Sequence, residues 1–217
     1  MATRLDPAQR REQILSATIR LVARDGFASV TLRDVAAEVG VVHGLIRHYF
    51  PTREQLVAAA FESAVLADIE EDEELAERVE PVTALGDWLM STPREHYMVW
   101  IDAWSEAPRN PELLDALTRH HRDCEGRLAR IIERLADSGR GASEDPAADA
   151  RMLTALTDGI AVQLHAIGIV DRAEADRLVF TAAEDRLGLA RGTLAGARPT
   201  ATRGQWAAEP AASRGDA

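Results

Sequence analysis

Apolar residues recur along this chain at helical spacing almost from its start to about residue 190, and then cease. Asp6-Pro7-Ala8-Gln9 offers a capping aspartate, a proline for the first helical position and a glutamine to close a capping box. A helix is therefore predicted to run from there to Gly26, with Ile14, Ala17, Leu21 and Val22 on one face. Thr31 with Asp34 marks a second start. Leu32, Val35, Ala36 and Val39 then follow at i, i+3, i+4 and i+7, and Gly40 closes the helix. Val42, Ile46, Tyr49 and Phe50 predict a third short helix with those four residues turned inward, stopped by Pro51. Thr52 and Gln55 open a longer helix, carried by Leu56, Val57, Ala60, Phe61, Ala64 and Val65 to about Ala76. Further helices are expected at about 82–91, 94–107, 111–138, 149–167 and 173–189. The acidic run Glu70–Glu74 reads as a solvated helix face.

The predicted class is all-α, with about nine helices. The last two carry Met152, Leu153, Leu156, Ile160 and Leu164, then Leu178, Val179, Ala182, Leu187 and Leu189, apolar seams that need a partner. Pairing both helices with their copies across a two-fold axis would bury the seams in a four-helix interface, so a homodimer is expected. Past Arg191 the chain turns to Gly, Ala, Pro, Thr and Arg, which predicts a disordered tail over 191–217. The expected organisation is a small domain over 1–52, a larger helical domain over 53–190, and that tail.

The single cysteine, Cys124, cannot form an internal disulfide, and no Cys/His spacing matches a zinc site. His121 and Cys124 share a helix face but would supply only two ligands, so neither metal nor cofactor is expected. With no apolar leader and no run of eighteen apolar residues, a cytoplasmic protein without a membrane partner is expected. An enzyme is not expected either, because no nucleophile has a recognisable base and no phosphate loop appears.

Charge separates the two ends. The whole chain carries −11, yet residues 1–60 hold eight Arg against six acids, a net of +2 that leaves −13 for the remainder. All 25 basic residues are Arg, so every phosphate or carboxylate contact can be a bidentate fork.

Two short helices joined by a tight turn, the second with a rigid inner face, are the arrangement of a helix-turn-helix that presents its outer face to the major groove. The outward positions are His43, Gly44, Arg47 and His48. Gly44 permits close backbone approach, Arg47 can fork to guanine, and His43 can donate to a base or phosphate. Arg33 and Arg53, near the starts of the flanking helices, are expected to clamp phosphates.

The segments TLRDVAAEVGVVHGLIRHYF (Thr31 to Phe50) and PTREQL (Pro51 to Leu56) resemble the TetR family of one-component regulators. GLIRHYF, and VWIDAWSEAPRNPELLDALTRHHRDCEGRLARII further on (Val99 to Ile132), are similar to its BetI-like branch. The resemblance implies a three-helix DNA-binding domain joined to a helical domain that binds a small molecule and dimerises. It implies a repressor of a near-palindromic operator, released by its ligand. By position, Thr31, Arg33, His43, Gly44, Arg47, Tyr49 and Arg53 are the implied contacts to double-stranded DNA. Two departures stand out: Val42 occupies the place of a serine that caps the recognition helix, and Arg47 that of a Tyr or Ser.

The aromatics Trp88, Tyr97, Trp100 and Trp104 are concentrated in the larger domain. They are either core or the lining of a pocket for a hydrophobic or cationic effector, whose charge Asp87 or Asp102 would neutralise. A DNA-binding regulator without an effector is the alternative that composition leaves open.

Overall fold

A computed structural model of the chain describes residues 6–90 and 94–197, with side chains given outside 66–78, 90, 95 and 96. The described residues form ten α-helices and no strand. In chain order they are α1 (Pro7–Asp25), α2 (Leu32–Val39), α3 (His43–Tyr49), α4 (Arg53–Arg78), α5 (Pro81–Met90), α6 (Arg94–Glu106), α7 (Pro111–Asp137), α8 (Pro146–Ala161), α9 (Arg172–Arg186) and α10 (Thr193–Gly196). A 3-10 turn at Phe27–Ser29 links α1 to α2, and a π-helical turn at Val162–Ile167 prolongs α8.

The helix starts follow from side chains that accept the otherwise orphaned first-turn N–H groups. The predicted boxes at Asp6 and Thr31 form, the Asp6 carboxylate accepting from Gln9 N (2.9 Å) and the Thr31 hydroxyl from Asp34 N (3.3 Å), and at the third the Thr52 hydroxyl accepts from Gln55 N (3.2 Å). Asn110, Asp145 and Asp171 cap α7, α8 and α9 in the same way, the first two followed by proline at the first helical position. The Asp145-Pro146 pair starts α8 three residues earlier than its apolar spacing indicates.

Two hydrophobic cores divide the molecule. The first gathers Ile14, Leu21, Phe27, Val35, Ile46, Phe50, Leu56 and Phe61 from α1 to α4, Ala103 from α6, and Leu113, Ala116 and Leu117 from the front of α7. The second gathers Leu85 and Leu89 from α5 with Leu128, Ile131, Ile132 and Leu135 from the back of α7, and adds Leu153, Val179, Leu187 and Leu194. At 27 residues, α7 is about 40 Å long and serves both cores as a common beam. The apolar packing therefore runs straight across residue 52, the expected domain boundary.

Three sequence expectations need correction. Val42 is the N-cap of α3 and is 76% exposed, so it does not face inward; Val41, packed against the first core, takes that place. The predicted seams of α8 and α9 are split: Leu153, Ile160, Val179 and Leu187 are consumed by the chain's own core, whereas Met152 and Leu178 remain exposed. The tail begins later than residue 191. Glu184, only 2% exposed, accepts from Gly192 N (3.0 Å) and Leu194 N (2.9 Å), which docks α10 and buries Leu194. Residues 198–217 lie outside the described residues, as do the side chains of Glu70–Glu74.

Candidate nucleic-acid interface

Gly40 ends α2 in the left-handed region (φ 75°), and the N–H of Val41 returns to Ala36 O (2.9 Å). This tight turn sets α3 across α2. Fully buried Ile46 and Phe50 pin α3 to the first core, and half-buried Tyr49 packs beside them. Gly44, Arg47 and His48 are then exposed along the outer face, with His43 partly so. A Cβ at Gly44 would meet nothing within 4 Å, so internal packing does not demand glycine there. Neither Arg33 nor Arg47 pairs with an acid among the described residues, and both are exposed. Thr31 serves as a cap, its hydroxyl donating to Asp34 Oδ2 (2.6 Å). α3 itself has no side-chain cap, as the valine at 42 implies. Sequence spacing did not single out Arg11, whose guanidinium lies 5.3 Å from the Phe50 ring centre, beside the end of α3.

Arg53 is placed otherwise than expected. Its Nε donates to Val30 O (2.8 Å), its Nη2 to Phe27 O, and its Nη1 to Glu106 Oε1 (2.9 Å). The Glu106 side chain is 8% exposed and that of Arg53 24%. Every branch of the fork is used inside the protein, so the phosphate-clamp expectation is not supported by this geometry.

The expected effector pocket is also rearranged. Asp102 Oδ2 accepts from Phe27 N (2.5 Å), which makes Asp102 a fastener of the α1–α2 turn. Trp88 belongs to the second core, whereas Trp100 and Trp104 pack on the first. Trp100 meets Phe61 edge to face (5.0 Å between ring centres), Trp104 lies 6.0 Å from Trp100, and Tyr97 stacks on His165 (5.3 Å).

Polar groups with unmet needs occur where α7 faces α4 and α8. His120 is 6% exposed beside Phe61, and its Nδ1 has no hydrogen-bond partner; nor has the buried hydroxyl of Thr154. Burial holds the His120 imidazole below its usual pKa, so it is neutral. Burial likewise pushes the Asp158 carboxyl up to about 6, with His121 pulling it down and Glu125 raising it further. Among the described residues no cluster of His, Cys, Asp or Glu could hold a metal ion. No helix of the described residues is long and apolar enough to cross a membrane.

A helix-turn-helix with an exposed basic outer face, mounted on an all-helical body, defines a DNA-reading transcriptional regulator. Residues 14–60 match the bacterial regulatory proteins of the tetR family, and residues 79–188 match the C-terminal domain of BetI-type transcriptional repressors. The chain belongs to the TetR family, in its BetI-type branch, and members of that family are regulators and not enzymes. It is 28% identical to the transcriptional regulator PksA of Bacillus subtilis, over 82% of this chain and 88% of that one. BetI of Agrobacterium fabrum is 26% identical over 71% of this chain and 76% of its own. Among solved structures, a transcriptional regulator from Saccharomonospora viridis in complex with choline superposes with a TM-score of 0.73 at 22% identity, covering 83% of this chain and 98% of the other. A TetR regulator from Haloarcula marismortui reaches 0.70 at 21%, covering 83% and 97%. At those identities the likeness establishes the fold.

Proposed function

We propose that this regulator represses transcription by binding a near-palindromic operator as a homodimer, and that a hydrophobic or cationic small molecule releases it. The observation that carries the DNA reading is the outer face of α3. Arg47 stands exposed and without an acidic partner among the described residues, next to Gly44 and His43, on a helix that Ile46 and Phe50 hold rigid. Arg47 would fork to guanine, and Arg33 would contact phosphate with Arg11 beside the end of α3. Two copies of α3 would enter successive major grooves about 34–36 Å apart. Dimerisation through α8 and α9 is supported by the exposed Met152 and Leu178, with Ile167 and Ile169 in the connection between them. An effector is supported by the unpartnered His120 Nδ1 and Thr154 hydroxyl and by the aromatic rings of Phe61 and Trp100. Asp158 replaces Asp102 as the carboxylate suited to balance a cation.

The test is selection of DNA from a random pool by the full chain, followed by Arg47→Ala. The variant should lose about 1–3 kcal/mol of discrimination for the enriched sequence and little nonspecific affinity. Equal losses on both DNAs would remove Arg47 from base reading.

A further inference from the structure

Two acids one helical turn apart on α6, Asp102 and Glu106, both reach the DNA-binding helices. Asp102 takes the N–H of Phe27, at the head of the turn between α1 and α2. Glu106 takes Arg53, which in turn holds the carbonyls of Phe27 and Val30, at the two ends of that turn. Gly26 makes the approach possible. Its backbone (φ 81°, ψ 160°) lies in a region essentially restricted to glycine, and a Cβ there would sit 3.2 Å from Asp102 Oδ2. Apolar contacts run parallel to these bonds, since the Phe27 ring edges Phe61, which edges Trp100 of α6. The turn held at both ends leads directly into Thr31, the cap of α2, on which α3 rests.

We infer that Asp102, Glu106 and Arg53 form a two-point latch that sets the position of the helix-turn-helix on the larger domain, and that Arg53 supports DNA binding through this latch and not by touching phosphate. Asp102 and Glu106 are positioning residues for α3, which they reach through the turn they hold. This inference rests on the proposed DNA-binding reading. It also gives α6, which carries Trp100 and Trp104, a physical grip on the recognition element: any displacement of α6 moves residues 27–30 and the start of α4 together.

The two roles for Arg53 predict opposite signs at its partner. If Arg53 contacts phosphate, Glu106→Ala removes a competing negative charge, and affinity for DNA should hold or rise. A latch predicts a loss of about fivefold or more, in the range of ordinary site-to-site coupling. Affinity of the full chain for its selected DNA is to be measured as a function of salt for wild type, Glu106→Ala, Arg53→Gln and the double variant. The latch predicts similar losses in all three variants, with the salt slope unchanged. A slope reduced by about 0.9 in Arg53→Gln alone marks a lost phosphate contact and overturns the inference. Asp102→Ala and Asp102→Asn supply a rescue pair, because the asparagine carbonyl still accepts from Phe27 N. Hydrogen exchange on the free protein separates this inference from the DNA reading. Asp102→Ala should speed exchange across residues 27–40 while Asp102→Asn does not, at matched melting temperatures; equal exchange in the two overturns the latch even if no DNA is bound.

Discussion

The two hydrophobic cores are of similar apolar quality but are fastened differently. In the first, packing is reinforced by polar bonds that join residues far apart in sequence: Phe27 to Asp102, and Arg53 to Glu106. In the second, the buried charges tie α8 to α9 and fasten the connections at their ends, without reaching the DNA-binding helices. Asp149, 1% exposed, holds Arg186 and the Ser143 hydroxyl (2.5 Å), and Glu184 holds the backbone that leads into α10. The contrast teaches where motion is inexpensive. The DNA-binding helices are not a module hung from a flexible joint at residue 52, because α1 to α4 share a core with α6 and the front of α7. Reorienting them requires work on α6, whereas the α8–α9 face, with Met152 and Leu178 exposed, is the one proposed to dock on a second copy.

Paired core truncations offer the largest effects. Phe61→Ala should cost about 3–5 kcal/mol in urea unfolding and loosen α1 to α3 and α6 together. Leu153→Ala should cost about 2–5 kcal/mol while leaving exchange in residues 27–50 untouched. Loss of protection in α1 to α3 from both substitutions would dissolve the distinction between the cores.

A second test addresses the exposed face of the second region. Placing aspartate at both Met152 and Leu178 should weaken self-association by about 3 kcal/mol or more, a hundredfold, seen in sedimentation as a shift to monomer. An unchanged dimer would move the interface elsewhere.

Asp158 lies on the α7–α8 seam, where the two cores meet. In the fold its carboxyl keeps its proton up to about pH 6, against the 3.8 of an unperturbed aspartate. Its pKa is raised, so the folded state binds the proton more tightly; this contribution is full below about pH 4 and is lost as pH rises to about 6. Asp158→Asn should therefore raise stability by about 2 kcal/mol at pH 7.5 and by little at pH 4, in paired thermal melts. A gain independent of pH would deny Asp158 its desolvated setting.

The smallest effect concerns the uncapped start of α3. Val42→Ser should add about 1 kcal/mol of local stability, read as slower exchange over 43–49, since the exposed valine gives up no core packing.

Much of this architecture was legible in local signals. Capping residues, glycines and apolar spacing located α1 to α9 to within a few residues, because those signals act within one or two turns, but missed α10, which Glu184 holds in place from the preceding helix. Val42 misled because helical spacing was extended one position past the true start, where the backbone is still extended. The outer face of α3 could be read from the inner one. The role of Arg53 could not: its partners lie 23, 26 and 53 positions away, and Asp102 acts across 75. A charge near a helix start looks the same in sequence whether it turns outward to a phosphate or inward to a buried glutamate. The aromatics posed the same problem: Trp88 joins the second core, Trp100 and Trp104 the first, and Tyr97 stacks on His165.

Through the core they share, the helix-turn-helix and α6 are expected to behave as one cooperative body. Native-state hydrogen exchange of the full chain in rising denaturant tests it most directly, by resolving the opening free energy of each segment. Residues 27–50 and 99–117 should open together, apart from 128–135 and 150–187. Opening of residues 7–50 by themselves, well below α6, would make the DNA-binding helices a separate body.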